Sequence, residues 1–385
     1  MTKKFVIIFL TAINFCFAIF NQPKTAYADQ LSDSIDEQMS NIDLSGLKDF
    51  FDENITMEKG GVVEFISNLL DGNFDKDGQS ALGYISSIVF RQAREMLPSF
   101  ICIIIIAVLC GILQGIKSST FSQSINDLIS FVGLLAIILV VSAQISSLIS
   151  SAKNIMENIA KLITIMSPII TSLMVAGGAN VSAGIYSPTV STLSNIISNV
   201  MLGVLLPLVM IMFVFSVISN FSSSVKLSKF IDFASSTIKW ILGITATIFT
   251  IFMTVQGIAS ATYDGVSIKA AKYAISNSIP IVGGFLRDGF DIVVAGSVLI
   301  KNSVGIACLF GFLIMIISPV IKMSLFSLML KGCSAIVEPI SDPRIPNFCA
   351  SISKCINYLV AITLVSSFMF FINVLLMIFT ANAFI

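Results

Sequence analysis

The sequence predicts an all-α fold, namely a polytopic membrane helical bundle of about six to eight transmembrane or re-entrant helices behind a small exported helical segment. Apolar residues make up 56% of the 385 residues and charged residues only 11%. Eight acidic residues lie between residues 98 and 385, too few to cover the surface of a water-soluble domain of that size. We therefore divide the chain into a signal peptide (1–28), an acidic extracytoplasmic segment (29–97) and a membrane domain (98–385).

The first 28 residues have the pattern of a cleavable signal peptide. Lys3 and Lys4 precede the apolar stretch Phe5–Phe20, and Ala26-Tyr27-Ala28 forms a small-x-small site before Asp29. Cleavage is expected after Ala28, which would place the mature N-terminus outside the cytoplasm. The alternative is an uncleaved first transmembrane helix, although the apolar stretch is shorter than the roughly 20 residues that a span needs.

The segment 29–97 is predicted to form amphipathic helices. Apolar residues recur there at steps of three and four, and acidic residues outnumber basic ones. So short a segment makes a poor independent core, so we expect its helices to lean on the membrane or on a partner. Its stretch Asn73-x-Asp75-x-Asp77-Gly78 resembles the start of a calcium loop, but Tyr84 stands where a glutamate ligand belongs, so no metal site is predicted.

Six apolar runs in the membrane domain are predicted to span the bilayer. They are Ser99–Ile116, Leu128–Ile149, Ile196–Phe221, Trp240–Ala261, Ser303–Val320 and Ile356–Ala381. Two further runs, Leu162–Gly178 and Ile279–Ile300, contain proline, paired glycines or charges and are interpreted as broken elements. Broken helices can line a transport site, or these runs can be amphipathic helices that merely pack the bundle.

Loop charges favour six full spans with two broken elements over eight full spans. The loop Ser222–Lys239 carries three lysines and one acidic residue, and lysine-rich loops face the cytoplasm. A full crossing by Leu162–Gly178 would put this loop outside. The helix interfaces are expected to use small residues, because close backbone approach drives packing in lipid. The candidates are Gly111, Gly133, Gly203, Gly243, Gly305 and Gly311.

The composition argues against an enzyme. The sequence has no histidine, which excludes serine–histidine and cysteine–histidine nucleophile systems and histidine-ligated metals. No cysteine pair has the CxxC spacing of a redox or metal site. No catalytic residue, cofactor or metal is therefore predicted.

A polar, glycine-containing block late in the membrane domain is the candidate polar or gating element. Charges within an apolar segment are costly in lipid and usually pair or face a cavity. On a helix, Arg287 and Asp291 would be i, i+4 neighbours and could neutralise each other, whereas two carboxylates with an arginine could also form a proton or solute relay. The members are Asp264, Lys269, Lys272, Pro280, Gly283, Gly284, Arg287, Asp288, Asp291, Lys301 and Asn302.

The chain resembles the stage III sporulation protein AE family. The resemblance rests on the polar block, the leader, the acidic segment and the entry into the first span at Arg94-Glu95 and Leu109–Gln114. The resemblance is most specific between Asp264 and Gly305, where the chain reads DGVSIKAAKYAISNSIPIVGG and LIKNSVG. It covers nearly the whole chain from about residue 60 and is weak before that.

The resemblance implies a non-enzymatic, multi-pass component of the secretion-like channel between mother cell and forespore, required for forespore development. It places the chain in the mother-cell membrane around the forespore. The implied partners are the lipid bilayer, other membrane proteins of the stage III sporulation operon and a forespore membrane protein, with no nucleic acid. The alternative is a secondary transporter or permease for a small solute, with Arg287, Asp288 and Asp291 in its polar site.

Overall fold

The computed structural model describes residues 42–54, 78–115, 123–221, 227–278 and 283–379, and within these ranges the chain is helical, with no strand. The leader, the cleavage site after Ala28, the calcium-like turn and Pro280 lie outside the described residues and stay predictions. The helices are α1 Ser45–Asn54, α2 Gly78–Gly115, α3 Gln123–Ala176, α4 Asn180–Val200, α5 Leu206–Phe221, α6 Ser228–Ser278, α7 Gly283–Val337 and α8 Arg344–Phe379.

Six helical stretches among the described residues are long and apolar enough to cross a bilayer, so the chain is a helical membrane protein. Each overlaps one of the six predicted runs, and three of the predicted runs, Ser99–Ile116, Trp240–Ala261 and Ile356–Ala381, extend beyond the corresponding stretch. They are Ser86–Leu113, Asp127–Ala176, Asn180–Phe221, Ser228–Val255, Asp291–Val337 and Arg344–Ile378.

Neither of the two predicted broken elements is a separate element in the structure. Helix α3 runs without interruption from the second predicted span through Leu162 and ends at Ala176. The turn that follows needs a glycine, because Gly178 has a φ of 81°. Helix α7 begins at Gly283 and continues into the fifth predicted span. The apolar runs that sequence divided at Lys153 and Lys301 are therefore joined by continuous helix.

Helices α7 and α8 form a long antiparallel hairpin at the core of the bundle. Ser334 Oγ donates to the Pro346 carbonyl oxygen at 2.9 Å near the turn, and the Phe312 and Phe370 rings pack with centroids 4.1 Å apart further along. Helix α8 also contacts α3, α4, α5 and α6. It is the most buried of the six candidate spans, as expected for a helix surrounded by others.

Four of the six predicted interface glycines lie at close helix contacts, and the prediction is wrong for the other two. A Cβ at Gly111 would lie 2.9 Å from the Ile340 carbonyl carbon, and one at Gly305 would lie 2.8 Å from Ile378 Cδ1. Gly133 abuts Cys110 and Gly311 abuts the Phe51 ring. A Cβ at Gly203 or Gly243 would meet nothing within 4 Å, so no neighbouring helix approaches closely at either position.

Helix α1 of the acidic segment packs on the bundle itself, whereas the sequence led us to expect helices that lean on the membrane or on a partner. Residues 78–97 of the same segment form the first half of α2 and continue into the first span. Leu47 and Phe51 of α1 are buried, and Phe51 fits the notch left by Gly311 on α7. Asn158 on α3 donates from Nδ2 to Asn54 Oδ1 at 2.7 Å. The amphipathic pattern identified the buried face of α1 but not the surface that buries it.

A short π-helical segment joins α4 to α5. It covers Met201–Leu205, and the Leu206 N–H bonds to the carbonyl oxygen of Met201, five residues earlier. Pro207 follows and lacks the N–H that an α-helix would direct at Gly203. The extra residue in the turn accommodates this loss, which is a common cause of such segments.

Candidate functional site

The structure divides the predicted polar element between two helices that pack against each other. Asp264, Lys269 and Lys272 lie on the last part of α6. Gly283, Gly284, Arg287 and Asp288 lie in the first turns of α7, which contacts α6. Backbone positions alone are described for these residues. Side chains are placed for three members, Asp291, Lys301 and Asn302, all on α7.

Lys301 is the one charged residue that is fully buried among the residues whose side chains are described. It lies 36 residues before the end of the 55-residue helix α7. Asn302 beside it is half-buried, and its Oδ1 accepts no hydrogen bond from the described residues. A buried cation within an apolar helix is costly, so such residues usually mark a structural or functional polar site.

Lys301 belongs to a larger set of buried polar side chains on three helices, which we call the polar seam. All of its members are less than a tenth exposed. They are Ser182 and Ser194 on α4, Ser297, Lys301 and Ser303 on α7, and Thr363, Ser366, Ser367 and Asn373 on α8.

Hydrogen bonds in the seam run both within helices and between them. Thr363 donates to the Leu359 carbonyl oxygen at 3.0 Å, and Ser367 donates to that of Thr363 at 2.7 Å. Asn373 Nδ2 donates to Ser194 Oγ at 3.4 Å, which joins α8 to α4. Asn373 Oδ1 accepts nothing from the described residues. Hydroxyl and amide bonds of this kind hold membrane helices together.

Of the residues in the seam, the sequence analysis singled out Lys301 on α7 and did not identify the members on α4 and α8. A signal was present, because Thr363, Ser366, Ser367 and Asn373 recur at helical steps on one side of α8. Serine and threonine are unremarkable in membrane helices, since they can bond to their own backbone. The pattern therefore did not stand out beside the charges of α6 and α7.

A second cluster of polar side chains joins α7 to α8 by hydrogen bonds. It lies nearer than the polar seam to the turn that connects these two helices. Ser327 Oγ donates to Asn357 Oδ1 at 2.8 Å, and Ser353 Oγ donates to the Ser327 carbonyl oxygen at 3.0 Å. Ser327 and Ser353 are fully buried. Near the turn itself, Arg344 pairs with Asp127 of α3 at 3.4 Å. These contacts fix the hairpin against the start of α3.

The side chains gathered in these clusters are suited to positioning helices or solvating a small polar species. Hydroxyls, amides and one ammonium dominate them. No group of three or more cysteine, aspartate or glutamate residues able to hold a metal ion occurs among the described residues. Among the side chains that the structure describes, these clusters therefore offer hydrogen bonds and the buried ammonium group of Lys301.

Comparison with known proteins identifies the family. The family model described as stage III sporulation protein AE matches residues 61–381. A Bacillus subtilis (strain 168) protein named stage III sporulation protein AE is 28% identical over 176 residues, which is 46% of this chain and 44% of that protein. The alignment thus spans less than half the length of that relative. No solved structure matches the chain. The chain is a sporulation protein of the membrane and belongs to the stage III sporulation protein AE family.

Proposed function

We propose that the chain is a non-enzymatic membrane component of the channel complex between mother cell and forespore. In this proposal the complex resembles a secretion system and is required for forespore development during endospore formation. Membership in a sporulation family supports the developmental role. The lack of histidine in the whole sequence supports a role other than catalysis.

The proposal that the chain is part of a complex rests on the length over which α3 exposes apolar side chains. Leu128 near its start is 60% exposed, and Val175 near its end is 48% exposed. These residues are separated by about 70 Å along the helix at 1.5 Å per residue. The hydrocarbon core of a bilayer is about 30 Å thick, so one bilayer cannot cover both ends. We infer that protein partners cover one of them.

The charges along α3 indicate which end lies outside the hydrocarbon. Lys153 and Glu157 form an exposed i, i+4 ion pair at 3.6 Å, and Lys161 is exposed one turn later. Helix α1 packs at this level through Asn158. If the mature N-terminus is exported, this level and the rest of α3 up to Ala176 face the extracytoplasmic side. The Val175 end is therefore the proposed surface for other membrane proteins of the operon or for a forespore membrane partner.

Co-purification tests this proposal. We expect Val175→Asn to reduce recovery of the operon's membrane proteins with the chain from crosslinked sporulating cells, while the level of the chain itself stays unchanged. Lys161→Asn is the matched control, because it changes an already polar exposed residue of the same helix. Recovery of the wild-type chain without any other sporulation membrane protein would contradict the proposal.

A permease-like subunit is the second candidate function, and the buried Lys301 favours it. A buried cation on the same helix as Arg287, Asp288 and Asp291 could bind an anionic solute or gate its passage. Under this alternative, Lys301→Met and Asp288→Ala should leave assembly intact and stop forespore development. A fall in protein level in both variants would instead show that these charges hold the bundle together.

A further inference from the structure

A largely apolar recess lies between α6 and α8, on a different face of α8 from the polar seam. Its volume is about 420 Å³. Apolar and small side chains from both helices form its walls. They include Leu242, Gly243 and Ala246 of α6 and Ala361, Leu364 and Val365 of α8. We call this space the α6–α8 groove.

One end of the groove is cationic. Lys239 lines it and lies over the Tyr358 ring, with Nζ 5.7 Å from the ring centroid. Lys354 is exposed and precedes Tyr358 by one turn on α8, so it extends the same face of that helix. No acidic side chain among the described residues forms an ion pair with either lysine.

The other polar groups of the groove are already bonded within the protein. Thr247 donates to the Gly243 carbonyl oxygen at 2.8 Å, and Asn357 Oδ1 accepts from Ser327. A molecule in the groove would therefore meet apolar walls over most of its length and positive charge at one end. That combination suits an amphiphile with a hydrocarbon tail and an anionic head.

The surroundings of Lys239 match the headgroup level of a bilayer. Trp240, the single tryptophan of the sequence, follows it and is 72% exposed. Tryptophan is enriched where hydrocarbon meets the headgroups. Lys239 is the last residue of the segment Ser222–Lys239, which the sequence predicts to be a cytoplasmic loop and which the structure shows as helix from Ser228 onward. Basic pockets between membrane helices on the cytoplasmic side bind anionic lipid heads.

We propose that the α6–α8 groove binds an anionic phospholipid of the membrane. One acyl chain lies between Gly243 on α6 and Ala361 on α8. The phosphate meets the ammonium groups of Lys239 and Lys354. This site is separate from the polar seam and does not depend on the channel function proposed above.

Lipid binding to the full-length protein in a neutral detergent tests the headgroup. Phosphatidylglycerol and phosphatidylcholine with identical chains serve as probes, and native mass spectrometry measures the first bound lipid. Wild type should bind phosphatidylglycerol more tightly. Lys239→Gln should weaken this binding about fivefold and leave phosphatidylcholine binding unchanged, since one basic residue near an anionic lipid head contributes roughly 1 kcal/mol. Lys161→Gln removes an exposed lysine far from the groove and should have no effect.

A second pair of variants tests the acyl chain. Gly243→Leu would grow into the groove, because a Cβ there meets nothing within 4 Å. It should reduce binding of both lipids. Gly203→Leu also grows into open space but does not line the groove, and should bind as wild type. Ala361→Leu repeats the test from the opposite wall if Gly243→Leu does not fold.

Two results would overturn the lipid site. One is equal phosphatidylglycerol affinity in Lys239→Gln and Lys161→Gln. The other is lipid binding by Gly243→Leu and Ala361→Leu that matches Gly203→Leu. A groove that instead receives a side chain from a partner protein would give both of these results. Lys239 is exposed, so its substitution tests the headgroup contact without disturbing the packed core.

Discussion

The notch at Gly311 offers a direct test of how α1 is held on the bundle. A Cβ at Gly311 would lie 2.6 Å from Phe51 Cζ, whereas a Cβ at Gly332 on the same helix meets nothing within 4 Å. Alanine in a helix interior is otherwise more stable than glycine by roughly 0.5–1 kcal/mol. We therefore predict that Gly311→Ala releases α1 and that Gly332→Ala leaves it docked.

The expected effect follows from how completely Phe51 is buried. Its side chain is 1% exposed, and losing a core phenylalanine costs about 3–5 kcal/mol. Helix α1 has ten residues, fewer than the roughly 12–15 that an isolated helix needs in water. Its docking therefore depends on contacts such as this one. A loss of about 3 kcal/mol raises the undocked population by about 100-fold.

Hydrogen exchange of the α1 amides in the detergent-solubilised full-length protein measures this release. Exchange over Ser45–Asn54 should accelerate by up to about 100-fold in Gly311→Ala and stay unchanged in Gly332→Ala. In a Phe51→Ala background, Gly311→Ala should add nothing, because the ring that it displaces is gone. Unchanged exchange in Gly311→Ala would refute the reasoning. Further acceleration in the double variant would show that the glycine acts on α7 itself.

Two other contacts give predictions for thermal unfolding in detergent. Gly111→Ala should lower stability by about 1–3 kcal/mol, because its Cβ would meet the backbone of Ile340, which cannot move aside as a flexible side chain can. Gly184→Ala should leave the stability unchanged, because its Cβ meets nothing within 4 Å. Equal melting temperatures of these two variants would contradict the packing argument. Ser327→Ala should cost about 1 kcal/mol, since it removes a bond to Asn357 between α7 and α8. An unchanged melting temperature would show that this bond contributes nothing net.

The approximate places of the six apolar helical stretches could be predicted because a long apolar run is a local property of the chain. The neighbouring helix that each helix face contacts could not be predicted in the same way. Gly111 and Gly203 look alike in sequence, yet Gly111 abuts Ile340 and Gly203 faces open space. The difference depends on which helix lies opposite. A small residue permits close approach of two helices, but the sequence alone does not show whether a second helix lies opposite it.

The candidate site was predicted in part for a related reason. Lys301 stands out because a charge in an apolar run is costly and therefore informative. Asn373 and Ser194 carry no such signal alone, and they acquire a shared role only when α8 and α4 are brought together at 3.4 Å. In the same way, nothing local to Phe51 indicates that its place is a notch on α7, more than 250 residues later in the chain.

The continuity of α3 and α7 bears directly on the choice between six and eight crossings. Eight crossings require the chain to reverse direction between Ile149 and Leu162, so that two spans lie where the structure has one helix. The Lys153–Glu157 pair at 3.6 Å has the i, i+4 spacing of a continuous helix at this point. Helix α7 likewise runs without interruption from Gly283 into the fifth predicted span. The structure therefore has one helix at each place where eight crossings would need two, which agrees with the six-span arrangement that the lysines before Trp240 favour in the sequence.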